Sequence, residues 1–319
     1  RSQAGNFTEA IESFDQAIRL YDEVDTQEAF RYSAHKWRLL AHLAQGNSSA
    51  LEEEINRVLE LSEKYREKIR EESNRNHFFD VEQSIYDIAI DFWYRQKNDA
   101  EAAFQLAERS RARSLLDLMS SSPRAIQNGS EPDLQYDQMS PSLSLAEIQA
   151  RLPEKTQVVQ YAVLKDRILI WLISRGQRPI AKEQPISEEL LGKQVSAYLQ
   201  LVTNEPADNE AAMAENARQL YQLLIAPIAS LLDPEKTLCL VPDKILCQMP
   251  FAALIAPNSG RFLIEDYSIT FAPSATMFVI CSEKAVAKER GRIESLLSVG
   301  DPTFDRHRFS LPYLSSARQ

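Results

Sequence analysis

The sequence predicts an all-helical N-terminal region followed by an α/β domain. Three observations lead there. Residues 1–120 space their apolar side chains at three- and four-residue steps and contain two glycines, Gly5 and Gly46, and no proline. The stretch from Ser120, SSSPRAIQNGSEPDLQYDQMSPSLS, is rich in Ser, Pro, Asn and Asp and carries no periodicity. Beyond it the period shortens to that of strands, and β-rich runs alternate with helical ones. The expected organisation is helices over 1–120, a linker over 121–143, and an α/β domain over 144–319.

Each element has its own signal. Phe7, Ala10, Ile11, Phe14, Ala17, Ile18 and Tyr21 mark the first helix, and Phe30, Ala34, Trp37, Ala41 and Ala44 the second. Leu51, Ile55, Val58, Leu59 and Tyr65 mark the third, and Val81, Ile85, Ala89 and Phe92 the fourth. Ala102, Ala103, Leu106 and Leu115–Met119 mark the fifth. Gly5-Asn6, Gly46-Asn47 and Lys97-Asn98 precede helices in a repeating pattern, the signature of stacked helix pairs. Ser144 suits the cap of a helix over Leu145–Leu152. TQVVQYAVL and RILIWLIS, separated by Lys165-Asp166, read as a hairpin. The second run is apolar on both faces and is expected to be covered on both. Helices are predicted over Glu188–Val202 and over Asn209–Leu231, the latter broken at Pro227. TLCLVP and YSITFAP read as strands, PSATMFVIC as a helix opened by Pro273-Ser274, and SLLSVGDP as the last strand.

Composition narrows the function classes. The 319 residues carry a formal charge of −10, which argues against a nucleic-acid or anionic-membrane partner. No apolar run has the length of a membrane span. No signal peptide is visible, although the chain opens on Arg1 instead of Met. Cys239, Cys247 and Cys281 have no metal-ligand spacing and lie in apolar contexts, as expected of reduced, buried thiols in a cytoplasmic protein. Neither GxGxxG nor GxxxxGK[ST] occurs, and no metal or organic cofactor is suggested. Asn6, Asn47 and Asn128 head glycosylation-type triplets; for the first two, helix capping is the plainer reading.

Two family resemblances are carried by quoted motifs. GNFTEAIESFDQAIRLY resembles the second helix of a tetratricopeptide (TPR) repeat, with Gly5 at the turn and Ala10, Phe14 and Ala17 at packing positions. The later turns are spaced more widely than the ~34-residue repeat, so the array is TPR-like. LCLVPDKILCQMPFAALIAP, GRFLIEDYSITFAPSATMF and LLSVGDPTFD…LPYLSSAR together resemble the front part of a CHAT domain, a caspase- and separase-like module attached to TPR arrays. The opening SLAEIQARLPEKTQVVQYAVLKDRILIWLIS and the stretch RSRARSLLD, at the end of the helical region, extend that resemblance. It departs at Lys244, where the family usually has Gly.

The resemblance implies a cysteine peptidase in which a thiolate attacks a peptide carbonyl and a histidine moves the proton. Its His- and Cys-bearing strands are expected after LLSVGDP, and therefore beyond Gln319, leaving this chain alone without a catalytic pair. A Cys247/His307 pair is the alternative within the chain. It would reverse the family order, and the apolar ILCQMPF context opposes a reactive thiolate. Asp301 lies at a predicted strand end, where a turn with Pro302 is the simpler role. His35, His42 and His77 read as helix packing. In ERSRARSLLDLM, Arg109, Arg111 and Arg113 read either as a solvated face or as a clamp on the next domain.

The sequence thus predicts the regulatory front portion of a CHAT-type cysteine peptidase, with a protein or peptide partner on the TPR-like array. The alternative is a non-catalytic adaptor mediating protein–protein interaction.

Overall fold

The computed structural model describes residues 6–22, 28–68, 83–121, 142–203 and 210–290. Two compact units divide the chain, Arg1–Val279 and Ile280–Gln319. The described part of the second is residues 280–290, where the last helix continues.

The helical region contains α1 (Phe7–Asp22), α2 (Glu28–Gln45), α3 (Ser48–Lys68), α4 (residues 83–91) and α5 (Ala100–Ser121). α1 packs on α2, and α2 on α3. The apolar stripes of α2, α3 and α4 meet in one cluster that includes Tyr32, Leu39, Ile55, Val58, Ile85 and Ala89. Of the predicted α2 stripe, Ala34 and Ala41 are buried, whereas Phe30 and Trp37 are 60% and 53% exposed. The buried large residues of α2 are Tyr32 and Leu39. α4 ends in a π turn, Phe92–Gln96, and Asn98 takes a left-handed φ of 52° before α5. Asp99 then accepts a hydrogen bond from the Ala102 N–H at 2.9 Å, capping α5.

The α/β part opens with α6 (Leu145–Arg151). Ser144 and Glu147 form a reciprocal capping box there, as the sequence predicts for Ser144. β1 (Thr156–Val163) and β2 (Arg167–Ser174) form the predicted hairpin, and every residue of both strands is buried. β3 (Ile180–Pro185) follows, then α7 (Glu188–Thr203), α8 (Glu210–Leu224), β4 (Thr237–Val241), α9 (Leu263–Asp266), β5 (Ile269–Phe271) and α10 (Ala275–Arg290). The helix expected to run to Leu231 stops at Leu224, before Pro227, and Ala229–Leu231 form a single 3₁₀ turn.

The described strands form a mixed sheet of order β3-β2-β1-β4-β5. β1 pairs antiparallel with β2 and parallel with β4; Gln160 lies opposite both Trp171 and Val241. β4 pairs parallel with β5. Strand alternation sends Val159, Tyr161, Ile168 and Ile170 to one face, where α7 and α8 cover them through Leu191, Val195, Leu220 and Leu224. Val158, Ala162, Leu169, Trp171 and Cys239 face the other way. That face is covered by α6, by the start of α10 and by α5. Phe104 of α5 meets Trp171 edge-to-face at 5.9 Å, and the Trp171 indole N–H donates to the Ala100 carbonyl at 3.0 Å. The last helix of the helical region is therefore one of the layers that close the sheet.

The final strand expected over SLLSVGDP, together with Asp301 and His307, lies outside the described residues, as do Asn128 and most of the linker.

Candidate functional site where the helices meet the sheet

The chain leaves β1 toward β2 and β3 on one side and later enters β4 and β5 on the other. The carboxyl ends of β1 and β4 therefore flank the point where strand order reverses, the usual place for a functional crevice in such sheets. β4 ends at Val241, and Pro242-Asp243 carry the chain out of the sheet. β1 runs three residues past the register of Val241 and so needs substitute partners on that edge. The Asp243 carboxylate accepts from the Val163 N–H at 2.7 Å. The Arg111 guanidinium donates to the Tyr161 carbonyl and lies 3.3 Å from the other Asp243 oxygen. A side chain from α5 and one from the loop after β4 together extend the ladder of β1.

Three residues earlier on α5, Glu108 is fully buried. Its two carboxylate oxygens accept from the Ala275 and Thr276 N–H groups at 3.0 and 2.9 Å, and Ser274 Oγ accepts from Met277 at 3.1 Å. The first donors of α10 are thus satisfied by one local residue and one carboxylate 167 positions upstream. Burial, with a smaller contribution from the same carboxylate, raises the Cys239 thiol far above its ordinary range.

A second set of charges continues from Asp243. Lys244 has a φ of 48°, a left-handed conformation that a side chain opposes. This is the position where the CHAT resemblance expects Gly, and the backbone accounts for that expectation. Lys244 Nζ lies 2.8 Å from Asp87 of α4 and 3.2 Å from Glu188 of α7. Burial pushes the Asp87 carboxyl up to about 6; Asp243 and Glu188 add to the shift and Lys244 opposes it. Burial alone would lower the Lys244 ammonium, but Asp87, Glu188 and Asp243 outweigh it and leave it above its usual value.

The sequence-predicted site residues separate on this geometry. Arg111 reaches the sheet. Arg109 turns to Glu63 of α3, 3.7 Å away, within the helical region. The Arg113 side chain lies outside the described set. Cys247 sits in the 3₁₀ turn Lys244–Gln248 and is exposed, as is Cys281; of the three thiols expected to be buried, only Cys239 is. The Cys247 thiol is raised by partial burial and by Asp243, with Arg111 opposing. His35 is engaged with Glu54 at 2.9 Å, and His42 lies 3.4 Å from the Asn47 amide. His77 and His307 lie outside the described residues. Glu108, Asp87 and Lys244 were not expected to join the two regions. The available signal was an acid, Glu108, opening a run of arginines.

Two buried polar groups beside this site are unpaired among the described residues: both amide atoms of Gln160, which is fully buried on β1, and Arg111 Nη1. No group of three His, Cys, Asp or Glu side chains among the described residues is arranged to hold a metal ion. No helix among the described residues is long and apolar enough to cross a membrane.

A family model described as the CHAT domain matches residues 214–319. The match begins in α8 and takes in β4, the Asp243–Lys244 loop, Cys247, β5 and α10. It covers about a third of the chain. Arg111, Glu108, Asp87, Glu188 and the strands β1–β3 lie before it. No curated protein matches the chain.

Proposed function

We propose that this chain is the regulatory front portion of a CHAT-type, caspase-like cysteine peptidase. In this reading the TPR-like helices bind a protein or peptide partner and control the peptidase, and the protein works in the cytoplasm. The observation that carries the reading is the CHAT-domain match over residues 214–319. The regulatory half is supported by α5, which belongs to the helical region yet covers the sheet and supplies Glu108 and Arg111 to the CHAT-matching segment.

The reaction is peptide hydrolysis. A cysteine thiolate forms a bond to the carbonyl carbon, and the C–N bond breaks as imidazolium protonates the leaving amine. Water, deprotonated by the same imidazole, then releases the acid from the thioester. Cys247 is a poor nucleophile for this step: partial burial and the Asp243 carboxylate raise its thiol, and Arg111 only partly offsets them. The reading therefore assigns the His/Cys pair to sequence following Gln319.

The test uses protein expressed from the whole reading frame, treated with peptidyl electrophiles and mapped by mass spectrometry. The expected label falls on a cysteine after Gln319, and Cys247→Ser leaves labelling and peptide cleavage intact. Loss of both in Cys247→Ser overturns the assignment. Absence of any labelled cysteine, with partner binding retained, favours the non-catalytic adaptor.

A further inference from the structure

We infer that Lys244 is a pin through which helix α4 controls the conformation of the loop after β4. A lysine at a φ of 48° is held against its own backbone preference. Glycine or asparagine would occupy this position at less cost. What lysine adds is reach: its ammonium meets Asp87 of α4 at 2.8 Å and Glu188 of α7 at 3.2 Å. The residue before it, Asp243, is committed to Val163 of β1 and to Arg111 of α5. Two consecutive residues of one loop are therefore fastened to two helices of the helical region, one strand and one helix of the α/β part.

Beyond these contacts the loop is anchored by Leu246 and Met249, which are buried in the core. Lys244–Gln248 is a single 3₁₀ turn without a side-chain cap. It is closed by the Leu246 N–H on the Asp243 carbonyl at 2.9 Å and the Met249 N–H on the Leu246 carbonyl at 3.0 Å. Leu246 is buried, whereas Cys247 and Gln248 point outward. When α4 withdraws Asp87, Lys244 keeps only Glu188 as an ion-pair partner, and the left-handed backbone loses one of its restraints. The turn then relaxes, and the surroundings of Cys247 relax with it. The mechanism needs two alternative arrangements of one short segment, biased by a contact from a distant part of the sequence. It goes beyond the peptidase reading and holds whether or not the protein carries out chemistry.

Hydrogen exchange at the Leu246 and Met249 amides of the full chain tests it, with β1 amides as the internal reference. Lys244→Met removes the charge from the loop side. Asp87→Asn removes it from the helix side, is isosteric, and relieves a burial cost, so the fold is retained. Both variants are expected to speed exchange at Leu246 and Met249 by about fivefold or more while β1 stays protected. Alkylation of Cys247 should rise relative to Cys281 in both. If Lys244→Met alone has these effects, the loop is not governed from α4 and the inference is overturned. Unchanged exchange in both variants overturns it as well.

Discussion

At the residue scale, the telling side chains are charged groups that end up away from water. Glu108, Arg111, Asp243, Lys244 and Asp87 each reach across elements. Each is held by geometry that no local pattern encodes: Asp87 and Lys244 are 157 positions apart. The arginines near 110 were visible as a run that read either as a solvated face or as a clamp on the next domain, and Arg111 meets Asp243 there. Arg109 and Arg111 point to opposite partners because residues two apart on a helix lie about 200° apart around its axis. Asp87 gives a pH-dependent prediction. Its folded-state value, about 6, lies above its ordinary one, so the native state holds the proton longer than the unfolded chain does. The stability this group contributes is complete below about pH 4 and is lost as pH rises through about 6. Relative to Asp87→Asn, the wild-type chain should lose roughly 2 kcal/mol between pH 4 and pH 7, read from urea midpoints at each pH. A constant difference across that range would contradict the buried environment described for Asp87.

Among the elements, legibility followed hydrophobic pattern. β1 and β2 were readable as β-rich runs separated by Lys165-Asp166, and β2 is apolar on both faces, as burial on both sides requires. β3 was missed: IAKEQP is a polar edge strand of partly exposed residues ending in Pro185, and it exists because Ile180–Pro185 complete the ladder of β2. The α6 cap was readable because a capping box is local. The start of α10 was half readable. Pro273-Ser274 announce it, but two of its first N–H groups are satisfied by Glu108, which no local signal announces. That contact makes α5 and α10 one structural device. Glu108→Ala leaves two buried donors without a partner and should cost about 3 kcal/mol or more, measured as a shift in the urea midpoint. Glu108→Gln retains one acceptor and should cost less. Equal, negligible effects from the two would show that α10 is capped without α5.

For the molecule as a whole, the sequence suggested a helical region, a linker and an α/β domain in succession. The structure gathers the helices and the sheet, through Val279, into one compact unit. The reason is the double use of α5. Its Phe104, Ala103 and Ala107 fill the sheet face, while Leu106 also packs against the core of α2, α3 and α4. One helix thereby belongs to two cores, and a disturbance of either is felt by the other. The control proposed above would run through this helix, from a partner on the helices to the CHAT-matching segment.

Native-state hydrogen exchange of the intact chain in increasing urea tests this shared use of α5 most directly. The account predicts that amides of α5 between Ala100 and Arg111 and amides of β1 and β4 open in the same step, with the same free energy and urea dependence. Exchange of α5 in a separate step of lower free energy, with β1 and β4 still protected, would contradict it.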